Sequence, residues 1–457
     1  MKINKIYLLL FTVMLTISCE DFVTIEVPYT QLSSDLVFDD VRTADAVLVT
    51  VYSKMQATTL VTGDSGGLSV LLGNYTDEII CHNSNIPELL FYQNNLLATN
   101  STIQALWRNT YNLIYIANKV VEGVENSKSI AEPDRDRLVG EALFVRAYLH
   151  FYLNQLFGEI PYVKTTDYRI NSTVEKHKDA AIFLFLQEDL LRAESLLTSN
   201  YTGANRIRPN KSTVIALQAR MYLYQKKWKL AEQKSTLLIN TTQLYSLASN
   251  LNDVFLHNSS GTIWQLMSAP EGKNTLDAKS FTFTSAPPPS RALNDGLVYE
   301  FEPHDLRRIN WIKKISNGSV TFYHPFKYKY NNDTSTSMEH SILFRLEEMY
   351  LIRAEANAEL NLPDLSAADL NIIRKRAGLE NISSQSKDEL INAILKERQL
   401  EFFTELGHRF FDLKRRGLLD SVLTGIKPGW KSSNALFPLP ENELLVNPSL
   451  SPQNEGY

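Results

Sequence analysis

Three carboxylates recur every four residues late in the chain: Glu397, Glu401 and Glu405. On a helix this spacing sets them along one face, and paired carboxylates can serve as acid and base in glycoside hydrolysis. That chemistry needs two carboxyls held apart across a cleft in unlike environments, which one helix face does not supply. Arg398, Arg409 and Arg415 lie close by, so ion pairing is the expected role. Gly63-Asp64-Ser65-Gly66-Gly67 sets a serine in a glycine-rich string of the kind found around protease nucleophiles. In that arrangement the base and its orienting acid come earlier in the chain, and the first histidine here is His82. A glycine-rich turn is therefore the expected reading. Cys81-His82 and His304-Asp305 lack the repeated ligand spacing of a zinc site, and no phosphate-binding glycine loop ending in Lys-Ser or Lys-Thr occurs. No catalytic group, metal or cofactor is expected.

Cys19 carries the one covalent chemistry that the spacing favours. Lys2 and Lys5 precede an apolar run over 6–17, broken only by Thr12 and Thr16, and Ser18 stands just before the cysteine. This is the build of a secretory signal over 1–18, too short to span a bilayer. A cysteine at the cleavage point reads as a lipidation site; the rival reading is a plain signal with an incidental cysteine. Such a site resembles those of bacterial lipoproteins, which implies a diacylglyceryl thioether and an acylated amine. Each buried methylene contributes about 0.8 kcal/mol, so several chains together hold firmly. Glu20 and Asp21 resemble the acidic pair that sends some lipoproteins to the outer face of the outer membrane.

The net charge is −5, and loss of Lys2 and Lys5 with the signal makes the mature chain more acidic by two, which disfavours nucleic acid as a partner. With Cys19 acylated, Cys81 is the remaining thiol and no internal disulfide can form. Stability must come from packing, for which 44% apolar residues suffice.

Apolar residues recur at three- and four-residue spacing over 44–55, 103–124, 135–156, 181–197, 213–224, 229–239, 344–360, 365–376 and 389–403, predicting helices. Pro133 suits a first helical turn, and Ser386 with Glu389 makes a capping-box pattern. Ala219, Tyr222, Trp228 and Ala231 read as one helix-turn-helix unit, loosely echoed by Ala354, Ala358 and Ala367. Too distant for a tandem array, the copies predict a helix-pair scaffold with long insertions. Those insertions, 58–102, 249–292 and 309–341, are rich in Asn, Ser, Thr, Gly, Pro and aromatics, as functional loops are.

Several strings resemble the SusD/RagB family of surface nutrient-binding lipoproteins. They are CEDF from Cys19, Pro28, LSSD from Leu32, LWRNTYNLIYIAN from Leu106 and EALFVRAYLHFYLNQLFGEIPYV from Glu141. Further on come RAEANAEL from Arg353, NIIRKRAGL from Asn371, ERQLEFFTELGHRFFDLKRRG from Glu397 and LFPLPENELLVNPSLSPQNEGY from Leu436. The likeness covers the mature chain in order. It implies a mainly α, SusD-like fold, with TPR-like helix pairs as scaffold and a loop-rich face carrying a few short strands. The parts over 19–240 and 241–457 would form one compact unit. Arg353, Glu355, Arg374, Arg376, Glu401, Arg409 and Asp412 are expected as ion pairs between helices.

Function follows from the same resemblance: a non-enzymatic, lipid-anchored outer-membrane protein that passes an oligosaccharide or peptide to a SusC-type TonB-dependent transporter. A sugar receptor needs flat aromatic surfaces with amide and carboxylate partners. Family binding aromatics fall in two regions, which here hold His82, Asn83, Asn85, Tyr92 and Asn94, then Trp311 and Tyr323. Trp107, Trp228 and Trp264 are expected in the core. The rivals are a helical-repeat scaffold that only assembles envelope proteins, and a glycosidase.

Overall fold

Asp40 opens the first helix, α1 (Val41–Thr58), by accepting from the Arg42 amide at 2.7 Å, which satisfies a donor that every helix start leaves free. The structure is a computed structural model and describes residues 37–383 and 386–457. Cys19, the signal ahead of it, Glu20, Asp21, Pro28 and the string from Leu32 lie outside the described residues.

Each helix expected from apolar spacing forms, with ends that fall within a few residues of the apolar pattern. After α2 (Leu68–Tyr75) and α3 (Ile86–Tyr92) comes α4 (Ser101–Asn126), whose Asn100 cap accepts from the Thr102 and Ile103 amides. Helix α5 (Glu132–Phe157) has Pro133 in its first turn and stops at Gly158, where φ is 73°. Helices α6 (Asp179–Leu196), α7 (Lys211–Tyr224) and α8 (Trp228–Ile239) follow, then the short α9 (Leu276–Phe281) and α10 (Leu306–Trp311). The last long helices are α11 (Leu346–Glu359), α12 (Pro363–Arg376), α13 (Lys387–Phe402) and α14 (His408–Arg416). The Ser386–Glu389 capping box forms at the start of α13. Phe344, expected in a helix, instead lies in a strand, because its apolar neighbours are buried on both sides.

Helices α4 and α5, α5 and α6, α7 and α8, and α11 and α12 pack as neighbours. Ala219, Ala231, Ala354, Ala358 and Ala367 are buried where the paired helices approach. Helix α8 packs directly on α11, so the two repeat-like pairs stack in space while the chain between them loops out.

The looped-out chain carries most of the strands: β1 (Ile79–Cys81), β2 (Thr262–Leu266), β3 (Arg291–Leu293), β4 (Ile312–Ser316), β5 (Thr321–Pro325) and β6 (Ser341–Arg345). They form two-stranded antiparallel ladders, β1 with β3, β2 with β6, and β4 with β5. The register of the first sets Ile79 opposite Leu293 and Cys81 opposite Arg291, tying the first insertion to the second. A second core of Leu251, Phe255, Phe301, Trp311 and Phe403 lies beneath these loops. The protein is mainly helical.

Candidate functional site

The carboxylate ladder is spent on ion pairs. Glu397 meets Arg307 at 2.5 Å and Arg374 at 3.4 Å; Glu401 meets Arg345 and Arg376 at 2.6 and 2.5 Å; Glu405 meets Lys327 and Arg345 at 2.5 and 2.9 Å. Burial opposes ionisation of Glu401, yet Arg376, Arg345 and Arg307 together hold its carboxyl far below the ordinary range. The other expected pairs form as well: Arg353 with Asp369 at 2.8 Å, Arg409 with Asp77 at 2.6 Å, Asp412 with Arg398 at 2.7 Å, and Glu355 with Arg415. These pairs tie helices to one another and to neighbouring strands and turns.

The glycine-rich string owes its composition to packing. A Cβ on Gly63 would lie 2.1 Å from the Asp277 carboxylate, and one on Gly67 would lie 1.7 Å from the Thr62 carbonyl oxygen. The string is thus a turn pressed against α9. His304 is exposed with φ at 69°, and Asp305 caps α10, accepting from the Arg307 amide.

Beside that turn lies a cavity of about 300 Å³, bounded by Asp64 and Ser65, by Asn83 and Asn85 after β1, by the end of α9 and the residues after it, and by Pro289–Arg291 entering β3. Its frame is one ion-paired cluster. Arg291 Nε and Nη2 both donate to Glu88 Oε1, at 3.1 and 2.8 Å, and Asn74 Nδ2 donates to the same oxygen at 3.1 Å. Asn83 Nδ2 donates to the other carboxylate oxygen at 2.8 Å. Asn83 Oδ1 accepts from the Asn85 amide at 2.8 Å, which fixes the loop between β1 and α3. Glu88 and Arg291 are both buried, and a charge pair so enclosed persists only with its remaining hydrogen bonds satisfied. Phe281 and Phe283 supply apolar wall; Ser65, Ser280, Thr282 and Ser290 supply hydroxyls.

The hairpin of β4 and β5 stands beside this cavity. Side chains two apart on a strand share a face, and Phe322 and His324 do so here. Phe322 meets His82 edge-on at 5.5 Å, and His324 packs on Phe283 at 4.9 Å. The His82 amide donates to Ser290 O at 2.7 Å. Burial lowers the His82 pKa, which favours the neutral imidazole.

The expected ligand residues therefore separate. His82, Asn83 and Asn85 gather around the cavity and its rim. Tyr92 ends α3 outside the lining, with Lys427 Nζ 3.9 Å above its ring. Asn94 is corrected to a turn residue: it is buried, has φ at 52°, and donates to Tyr75 O at 3.0 Å. Trp311 is corrected to core: it is 0% exposed and its indole donates to Leu251 O at 2.9 Å, leaving no face for a ligand. Tyr323 points away from Phe322 and is half-buried against the second core. Trp107 and Trp264 are buried as expected, and Trp228 is partly buried against the main core.

Phe281, Phe283, Phe322, Glu88 and Arg291 escaped the sequence reading. Alternation along 321–325 could have separated Phe322 from Tyr323; nothing local pairs Glu88 with Arg291, 203 residues away.

Comparison with known proteins agrees with this architecture. The SusD family model matches residues 306–457, and a second, described as starch-binding associating with outer membrane, matches 29–223. A SusD-like protein of Formosa agariphila is 25% identical over the full length of both chains, and another from that organism is 26% identical over 78% of this chain and 81% of its own. A SusD superfamily protein from Bacteroides vulgatus superposes with a TM-score of 0.81 at 22% identity, covering 92% of this chain and all of the other. A laminarin-binding SusD-like protein superposes with a TM-score of 0.76 at 21% identity, covering 91% and 99%. With both ends matched by the family's models and the helix-pair architecture shared throughout, the chain belongs to the SusD/RagB family.

Proposed function

We propose that this protein captures an oligosaccharide at the cell surface, held to the outer membrane by lipid on Cys19, and hands it unaltered to a SusC-type TonB-dependent transporter. The observation that carries the reading is the cavity framed by Glu88 and Arg291. Amide, hydroxyl and phenyl groups converge there, with His82 and Phe322 at its rim, and a sugar needs such partners: apolar surface for its C–H face and donors and acceptors for its hydroxyls. The laminarin-binding neighbour and the starch-binding family description support glycan over peptide.

Titration calorimetry against a panel of oligosaccharides and oligopeptides tests it. Saturable glycan binding is expected, weakened about tenfold by Phe322→Ala, which removes roughly 1.4 kcal/mol of apolar contact. No release of reducing ends is expected from any bound glycan. Binding confined to peptides defeats the glycan reading, and unchanged affinity in Phe322→Ala together with Asn85→Ala defeats the site.

A further inference from the structure

The charged groups lining the cavity sum to zero: Asp64 and Glu88 against Lys279 and Arg291. Their arrangement matters more than their sum. Arg291 is already spent, with two of its nitrogens on Glu88 and the third on the Ser280 carbonyl. Lys279 stands 3.9 Å from Asp333, which pairs more closely with Lys273, so this second cation shares a single counter-charge with another lysine. Asp64 is exposed and has no cationic partner among the described residues. A carboxylate or sulfate entering here would meet one bare negative charge, an arginine already bound to Glu88, and a lysine that is partly matched. To use Arg291 it would have to displace Glu88, stranding a buried carboxylate. The net charge of −5 adds repulsion at longer range.

We infer that the cavity selects uncharged, hydroxyl-rich oligosaccharides and rejects carboxylated or sulfated ones. This rests on the glycan-capture reading. Rejection is built from an unmatched charge rather than from a missing contact, which is an effective way to discriminate between ligands of similar shape.

The purified full-length chain is titrated with neutral laminari-, cello-, manno- and xylo-oligosaccharides and with oligogalacturonate and sulfated galactan oligosaccharides, at low and at high salt. A neutral glycan is expected as the tightest ligand, by about tenfold or more, with affinity insensitive to salt. Glu88→Gln frees Arg291, and Asp64→Lys reverses the bare charge on an exposed turn that tolerates substitution; each is expected to raise affinity for oligogalacturonate about tenfold. A charged glycan as the tightest ligand, with affinity that falls as salt rises and is lost in Lys279→Gln, overturns the inference and leaves glycan capture standing. Binding of peptides alone overturns both. Unchanged oligogalacturonate affinity in Asp64→Lys also overturns the charge-based selection.

Discussion

At the scale of residues, Glu78 shows how strongly this interior perturbs a single carboxyl. It is buried beside the Asp77–Arg409 pair and accepts from the Thr404 amide at 3.3 Å. Burial first, and then the Asp77 charge, push its pKa from 4.5 to about 8, while Arg409 and Lys327 pull the other way. Between those two values the folded chain keeps a proton that the unfolded chain has released. Its contribution to stability is therefore full below 4.5, declines as pH rises, and is gone above about 8. Glu78→Gln keeps the shape and has no proton to lose. Urea unfolding followed from about pH 5 to about pH 8 should show a downward slope in the parent that is shallower in the variant; parallel profiles would mean that Glu78 is already ionised in the fold. Asn94 and Trp311 carry a related lesson. Their residue types suit a sugar, but a residue type does not reveal burial, and both serve the interior instead.

At the scale of elements, helix ends were legible because their signals are local. Ser386 with Glu389 satisfies amides of the first turn, Pro133 removes one that would be left free, and the helices start where those signals stand. Phe344 was misplaced for a physical reason: a short apolar run buried on both faces of a strand looks like one side of a helix. Between α13 and α14 the backbone turns through Gly407, where φ is 73° and a Cβ would come within 2.1 Å of a Leu72 methyl. A side chain there meets the left-handed penalty and overpacks α2. Gly407→Ala should cost about 2–4 kcal/mol in urea unfolding, and a loss below about 0.5 kcal/mol would show that Leu72 yields without strain.

At the scale of the whole molecule, stacked helix pairs form a scaffold from which the looped-out chain builds the face holding the cavity. The proposed anchor lies near the start of the chain, at Cys19. If lipid is attached there, replacing that side chain removes the thioether and with it the acyl chains, each methylene of which would contribute about 0.8 kcal/mol of membrane attachment. Cys19→Ala is expected to move the protein from the outer-membrane fraction to the soluble envelope fraction. A variant that still pellets with membranes would rule out lipid on Cys19 as the tether.

The amino-acid sequence by itself determined most of the long helices, the start signals at Pro133 and Ser386, the lipidation candidate and the family resemblance, because each rests on residues that are neighbours along the chain. Periodicity, capping and motif strings all act within a few turns. Only the tertiary structure decided which polar residues face a ligand. The cavity exists because Cys81 registers against Arg291, because Glu88 claims that arginine, and because the hairpin brings Phe322 to His82. Those partners lie 200 or more residues apart, joined by pairing and burial that no signal local in the chain specifies.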